Sequence, residues 1–185
     1  MQQACIGKAL VFNKIGDTMK IRILDILEET MADGPGLRTS IYCAGCAHHC
    51  PGCHNPQSWD FQGGREVSVD DLLEIVKTDE FADVTFSGGD PLYQAEAFTE
   101  LARRIKEETG KNIWCYTGFT YEEIISDPKM SQILPYIDTL VDGPFVRELR
   151  DPDLHFRGSS NQRIIHLHSE DEDQIPGTVS TVPYK

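Results

Sequence analysis

The stretch CAGCAHHCPGC, from Cys43 to Cys53, places four of the chain's six cysteines within eleven residues. So dense a group favours a metal centre over a disulfide framework, because thiols stay free in the reducing compartment expected for this chain. Zinc ribbons separate two CxxC pairs by about 15–20 residues, whereas only three residues lie between Cys46 and Cys50. Spacings of two and three residues are instead typical of iron–sulfur ligation.

The same eleven residues can be divided in two ways. In the first, all four thiolates are ligands of one cluster with no open position, as in a simple electron carrier. Alternatively Cys46, Cys50 and Cys53, spaced x3 and x2, hold a four-iron cluster and leave one iron open, as a catalytic centre requires. In that division Cys43 ends a strand on its apolar side and is a small buried hydrophobe, as is Cys115.

Strands and helices alternate on both sides of the cysteine loop. Ser68 and Thr120, each with an acidic residue three positions later, predict two helix starts. Apolar residues recur at i, i+3, i+4 and i+7 from Phe98 to Ile105, which predicts a longer helix with one buried face. The predicted strands are Ile21–Leu27, Thr39–Cys43, Val84–Phe86, Asn112–Tyr116, Asp138–Asp142 and Arg163–Leu167.

This alternation predicts an α/β fold, a single-domain partial (β/α) barrel with a parallel sheet. Ligands of such sheets bind beyond the carboxyl ends of the strands. Each unusual loop follows a predicted strand: the cysteine loop, SGGDP from Ser87, TGFT from Thr117 and DGPF from Asp142. We therefore expect the four loops to form one site.

The charge balance restricts the partners. Lysine and arginine number 17 against 30 acidic residues, which gives a formal net charge of −13. The mean field of such a chain repels phosphate backbones and anionic lipid, so neither nucleic acid nor a membrane is an expected partner. No apolar run approaches the roughly 20 residues that span a bilayer, and the N-terminus lacks a basic leader. We expect a cytoplasmic protein.

The motifs carry a family resemblance. CX3CX2C on a loop after a strand resembles the radical S-adenosylmethionine (SAM) superfamily. With DGPGLRTSIY before the loop, and VTFSGGDPL, IWCYTGFT, TLVDGPFV and FRGSSNQRII after it, the chain is similar to the activating proteins of anaerobic ribonucleoside-triphosphate reductases. The resemblance divides the chain into an N-terminal extension (1–18), a radical SAM domain (19–168) and an acidic tail (169–185) that we expect to be flexible.

The resemblance implies one 4Fe-4S cluster per chain, held by Cys46, Cys50 and Cys53, with SAM at the open iron. It also implies that the SGGDP turn cradles the methionine end of SAM, where the carboxylate of Asp90 accepts a charge-assisted bond from the ammonium group. No catalytic residue is expected beyond the cluster and the SAM site. The residues expected at SAM are Gly52, Cys53, His54, Gly88, Gly89 and Asp90.

The function implied is reductive cleavage of SAM to methionine and a 5′-deoxyadenosyl radical, which removes hydrogen from a glycine of the partner reductase. A low-potential donor such as flavodoxin or ferredoxin supplies the electron. Three alternatives stay open: an activase of another glycyl-radical enzyme such as pyruvate formate-lyase, a small-molecule radical enzyme such as a deazapurine synthase, and a closed-cluster electron carrier. Cleavage of SAM separates the carrier from the activases.

Several loop residues have two interpretations. We interpret His48 and His49 as solvent-facing, because spacer positions of the motif are variable. Thr117 either faces the ribose of SAM or has a structural role, whereas Thr120 is interpreted as a helix cap. RGSSNQR, from Arg157 to Arg163, is either an ordinary loop or a surface that meets the reductase.

Overall fold

The structure is a computed structural model that describes residues 19–168. The predictions for the N-terminal extension and the acidic tail lie outside the described residues, as does Cys5. None of the described helices is long and apolar enough to cross a membrane.

One seven-stranded sheet organises the described residues. The strands are β1 (Lys20–Thr30), β2 (Arg38–Cys43), β3 (Arg65–Ser68), β4 (Asp83–Gly88), β5 (Ile113–Tyr116), β6 (Thr139–Asp142) and β7 (Arg163–His166). Their order in the sheet is β3-β1-β2-β4-β5-β6-β7. All six predicted strands are present, with ends that differ from the prediction by at most three residues.

The sheet is mostly parallel and open, which confirms the predicted α/β class and is consistent with a partial barrel. Strands β2, β4, β5 and β6 run parallel at its centre. Strands β1, β3 and β7 pair antiparallel at its edges, so the sheet is mixed where the sequence predicted a parallel one. The physical reason at β1 is its short DGPG connection to β2, since a parallel neighbour requires a crossover of a dozen or more residues.

Three α-helices cover the sheet: α1 (Val69–Thr78), α2 (Ala95–Thr109) and α3 (Tyr121–Ser126). Both predicted helix starts are confirmed, since the Ser68 hydroxyl accepts from the Asp71 N–H and Thr120 forms a complete capping box with Glu123. Helix α2 buries the predicted face between Phe98 and Ile105 against the sheet. Four short 3-10 helices complete the described structure: Pro56–Trp59, Pro91–Gln94, Met130–Tyr136 and Arg147–Leu149.

A buried arginine closes the amino-terminal end of the central strands. Arg38 on β2 is 1% exposed, and its guanidinium donates to the Thr85 hydroxyl at 2.6 Å and to the Val84 carbonyl at 2.6 Å. It also donates to the Pro35 carbonyl at 3.1 Å, which ties the DGPG turn to the sheet. Burial lowers the pKa of Arg38. With this end filled by protein, the opposite end of the sheet is left for a ligand.

Candidate active site

A cavity of about 900 Å³ lies at the carboxyl ends of the parallel strands. Residues from all four loops that follow these strands line it, which confirms that they form one site. The RGSSNQR segment contributes as well, so it is more than a distant surface loop. Lining residues from the five segments include Cys46, Cys50, Cys53, Gly88, Gly89, Thr117, Phe145, Arg157 and Gln162.

Backbone hydrogen bonds hold the cysteine loop against the SGGDP turn. The Asp90 N–H donates to the Gly45 carbonyl at 3.0 Å, and the Gly89 N–H donates to the Cys43 carbonyl at 2.8 Å. A Cβ on Gly89 would lie 2.5 Å from the Gly45 carbonyl oxygen. Gly88 has a φ of +99°, and a Cβ there would lie 2.5 Å from the Cys43 nitrogen. Both glycines are therefore needed for the close approach of the two loops.

The three cysteines of the CX3CX2C motif differ in exposure. Cys46 is buried, whereas Cys50 and Cys53 are partly exposed, and all three thiols are free. A turn with a 3.0 Å bond from the Cys53 N–H to the Cys50 carbonyl joins the last two. The Asn55 N–H points at the Cys53 sulfur at 3.4 Å. Burial raises the pKa of the Cys46 thiol to about 11, and the nearby Asp90 carboxylate adds to this effect.

The two other described cysteines are buried away from the cavity. Cys43 and Cys115 are both 0% exposed, which confirms that they pack in the core. Burial raises the pKa of each thiol well above its ordinary value. Neither of them lines the cavity. Their position therefore favours the division of the motif that leaves Cys43 out.

The chemistry of the loop fits an iron–sulfur cluster with one open iron. Three free thiols face one cavity, and thiolates are the ligands of such clusters. Within residues 19–168, no three ligating side chains already converge on one point as they do around a bound metal ion. The fit thus rests on the type and placement of the donors.

Asp90 is the centre of a buried hydrogen-bond network. Its carboxylate is 0% exposed and accepts from the Thr117 hydroxyl at 2.9 Å, the Gly118 N–H at 2.9 Å and the Leu92 N–H at 2.9 Å. The ring Nε2 of His48 lies 2.8 Å from it. With these four groups around it, the carboxylate is occupied by protein. This geometry differs from the expected one, in which Asp90 meets the ammonium group of SAM.

The interpretation of His48 as a solvent-facing residue is wrong. Its side chain is only 17% exposed, and its ring packs 4.6 Å from Phe119 and 5.6 Å from Tyr93, between centroids. A Cβ on Gly118 would lie 2.5 Å from the ring, so the glycine makes room for it. The missed signal is the acidic partner, which is 42 residues away in sequence. His49 is exposed, as predicted.

The two expected neighbours of Cys53 face different ways. His54 lines the cavity, and its ring lies 5.1 Å from that of Phe145. Gly52 is exposed and does not line the cavity; a Cβ on it would lie 2.9 Å from Nε of Arg147. Gly52 therefore lies outside the cavity lining, and its contact with SAM stays a prediction. Its φ of +77° favours glycine there.

Two further side chains at the strand ends are structural. Thr117 is 5% exposed, and its hydroxyl donates to Asp90 and accepts from the Phe119 N–H at 3.1 Å, which favours the structural interpretation. Asp142 is buried at the end of β6, where it accepts from the Tyr121 N–H at 2.7 Å and pairs with Arg163. The expected helix cap at Thr120 is confirmed.

Sequence reasoning missed a tyrosine–aspartate pair in the cavity wall. Tyr42 donates its hydroxyl to Asp33 of the DGPG turn, and both residues line the cavity together with Tyr116. Burial, followed by the contact with Asp33, raises the pKa of Tyr42. The available signal was the strand alternation, since Tyr42 lies between Ile41 and Cys43, whose side chains point to the core.

Comparison with known proteins identifies the class that this fold and site define. Residues 32–165 match the family described as a 4Fe-4S single cluster domain. The chain is also similar to the anaerobic ribonucleoside-triphosphate reductase-activating proteins of Haemophilus influenzae, Vibrio cholerae and Escherichia coli. The identities are 40% over 144 residues (72% of this chain and 90% of that protein), 38% over 144 (74% and 91%) and 36% over 145 (74% and 93%), respectively. The chain belongs to this family of activating proteins.

Proposed function

We propose that this protein activates an anaerobic ribonucleoside-triphosphate reductase by radical SAM chemistry. The observation that carries the proposal is the shared cavity, in which the three motif cysteines and the Gly88–Gly89 turn face one another at the strand ends. The names of the related proteins support the same activity and the same partner. We place the reaction in the cytoplasm.

Cys46, Cys50 and Cys53 would hold a 4Fe-4S cluster as thiolates and leave one iron for the amino and carboxylate groups of SAM. When bound, the cluster supplies the electron that cleaves SAM into methionine and a 5′-deoxyadenosyl radical. Cys46 is the innermost ligand, and its raised pKa in the free chain means that iron binding displaces its proton. The low-potential donor of the electron is a flavodoxin or a ferredoxin.

The protein positions SAM by backbone shape more than by charge. Gly88 and Gly89 line the cavity, and a Cβ on either would meet the backbone of Cys43 or Gly45, so glycine lets this turn pack against the cysteine loop beside the ligand. Asp90 acts through other groups, because it holds His48 of the cysteine loop and Thr117 after β5 in fixed positions. His54 and Phe145, whose rings contact each other in the cavity wall, offer an aromatic surface for the adenine.

The target is a glycine in a peptide segment, so the cavity must admit a protein chain. Leu24 and Leu27 of β1 line one wall and Arg157 and Gln162 line another. Leu27 is 44% exposed, which gives the rim an apolar contact for the partner. The Gln162 amide accepts from the Gly158 N–H at 2.8 Å and donates to the Gly143 carbonyl at 3.0 Å, so this wall is ordered.

Anaerobic reconstitution tests the proposal. Protein loaded with iron and sulfide, given dithionite and SAM, should produce 5′-deoxyadenosine, and with the reductase it should produce a glycyl radical seen by electron paramagnetic resonance. The Cys50→Ala variant should lose both products, whereas Cys115→Ala, which removes a buried thiol outside the cavity, should keep them. An intact cluster without SAM cleavage would support the closed-cluster carrier. A radical on pyruvate formate-lyase instead of the reductase would support the other activase.

A further inference from the structure

The chain has carboxylates in excess, yet within residues 19–168 a few cations form no ion pair with a described carboxylate. Most lysines and arginines of residues 19–168 lie within 4.0 Å of a carboxylate oxygen. The exceptions are Arg65, Lys111, Arg147, Arg150 and Arg157. Lys111 donates to two backbone carbonyls, and Arg157 donates to the Gln162 carbonyl. On so acidic a protein, an arginine without an acidic neighbour is available to an outside anion.

Two of these arginines lie at the two ends of one short 3-10 helix, and the first of them contacts the cysteine loop. Arg147 begins a 3-10 helix, and the Arg150 N–H closes it on the Arg147 carbonyl at 3.2 Å. Arg150 is the C-cap residue that follows this helix, and its backbone forms a β-bridge with Ser159. Both arginines are exposed, and neither Glu148 nor Asp151 reaches ion-pair distance of them within the described residues.

Arg147 lies against the turn that joins two of the cysteines. A Cβ on Gly52 would lie 2.9 Å from Nε of Arg147 and 3.5 Å from its Cζ. Gly52 stands between Cys50 and Cys53, so the guanidinium covers the peptide that links two expected cluster ligands. We call the exposed surface formed by Pro51, Gly52, Arg147 and Arg150 the arginine edge.

The arginine edge lies outside the cavity lining. Cys50, Cys53 and His54 line the cavity, whereas Pro51, Gly52 and Arg147 do not, although all three are exposed. The cysteine loop at Pro51 and Gly52 is therefore exposed to solvent outside the residues that line the cavity. A second macromolecule can approach the cluster ligands there while the cavity is occupied.

We propose that the arginine edge is the docking surface for an acidic, low-potential electron-transfer protein. The inference rests on the proposed function, which requires an electron from outside. Electronic coupling decays steeply with distance, so the exposed turn between two cluster ligands is the shortest route in. The mean field of a chain with a net charge of −13 repels an acidic donor, and two arginines that have no ion-pair partner in the described part of the chain offset that repulsion locally.

The step transfers one electron and no atoms. A flavodoxin hydroquinone loses one electron and becomes the semiquinone, and the oxidised cluster gains that electron. The arginines take no part in the transfer itself. They raise the rate of productive encounter, and their contribution should decrease as salt screens the charges.

Stopped-flow reduction of the cluster-loaded, SAM-bound protein tests the proposal. Reduced flavodoxin is mixed anaerobically with wild type and with the double variant Arg147→Gln, Arg150→Gln, and loss of the oxidised-cluster absorbance is followed at several ionic strengths. The double variant should react about tenfold more slowly at low salt and show a weaker salt dependence. Arg65→Gln, the same change at an unpaired arginine of edge strand β3, should stay within about twofold of wild type.

Dithionite separates the possible failures. It is a small reductant that needs no docking surface, so both variants should make 5′-deoxyadenosine with it at the wild-type rate. Wild type that makes none with dithionite would refute the proposed function before any donor is added. Flavodoxin rates equal in the double variant and wild type would refute the docking proposal. A loss of 5′-deoxyadenosine formation that also appears with dithionite would refute it too, because it would assign the arginines to the cluster. A raised KM for the reductase with unchanged flavodoxin rates would likewise refute it, because it would assign them to the reductase.

Discussion

Replacing Asp90 should cost more stability than replacing any exposed aspartate of this protein. The carboxylate is fully buried and serves as acceptor for groups on three segments: Leu92 after the glycine turn, Thr117 and Gly118 after β5, and His48 in the cysteine loop. Asp90→Ala removes the acceptor and leaves its donors behind. Asp90→Asn keeps the shape and one acceptor oxygen but turns an amide NH2 towards other donors.

The magnitude follows from the donors that lose their partner. The Leu92 and Gly118 backbone N–H groups cannot turn towards another acceptor, and each buried donor without a partner costs about 1–3 kcal/mol. Asp90→Ala should therefore lower the free energy of unfolding by about 2–6 kcal/mol. Asp90→Asn leaves only one of these two N–H groups without an acceptor and should cost about 1–3 kcal/mol. A domain of total stability about 5–15 kcal/mol tolerates the second change better than the first.

Urea unfolding of the cluster-free, reduced protein at pH 7 measures these differences without the cluster. Asp151→Ala is the matched control, because this exposed carboxylate accepts one backbone N–H, from Asp153 at 2.9 Å, and should cost no more than about 1 kcal/mol. The expected order of cost is Asp90→Ala, then Asp90→Asn, then Asp151→Ala. Equal costs for the Asp90→Ala and Asp151→Ala variants would refute the argument that the buried network stabilises the fold.

Three other substitutions have defined outcomes. Cys43→Ala should retain about four irons per chain and SAM cleavage, because this buried thiol lies outside the cavity, and loss of iron by chemical assay would make it a ligand. In urea unfolding, Gly88→Ala should cost about 2 kcal/mol or more beyond the cost of Gly110→Ala. Both glycines have positive φ, but only at Gly88 would the added Cβ also collide with backbone atoms. Equal costs for the two variants would contradict the close approach of the two loops. Glu122→Gln should lower stability at pH 7 by less than about 1 kcal/mol. The Arg163 hydrogen bond lowers the pKa of Glu122 to about 2. The stability difference between wild type and Glu122→Gln should therefore shrink as pH falls from about 4.5 towards 2. A stability difference that grows on acidification would contradict the pairing.

The sequence predicted the elements better than the contacts between them. Alternation of period two and apolar residues at helical spacing are local patterns, and they located six strands and the buried face of α2. Strand β3, from Arg65 to Ser68, was not predicted because two exposed residues followed by two half-buried ones leave no alternation to detect. The antiparallel edges escaped because strand direction depends on the connection and not on the strand's own residues.

The cysteines could be sorted from spacing and alternation, but the role of the acidic residue after the two glycines could not. A carboxylate in a ligand-binding loop has the same sequence signature whether it faces the ligand or the protein. What decides between these is the set of donors around it, and three of the four around Asp90 come from residues 27 to 42 positions away, at His48, Thr117 and Gly118. Such partners are brought together only by the strand order of the sheet.

The same network makes the cysteine loop and the glycine turn respond together. The backbone of Gly89 and Asp90 bonds to the cysteine loop, and the Asp90 side chain bonds to His48 within it, so neither segment can shift without the other. Asp90→Asn should therefore weaken SAM binding to the cluster-loaded protein by about tenfold, the equivalent of one lost buried hydrogen bond of about 1.4 kcal/mol, although the carboxylate is not exposed to the ligand. Equilibrium dialysis with radiolabelled SAM measures the affinity, and iron content shows that the cluster is retained. Unchanged affinity in Asp90→Asn would mean that the two segments move independently.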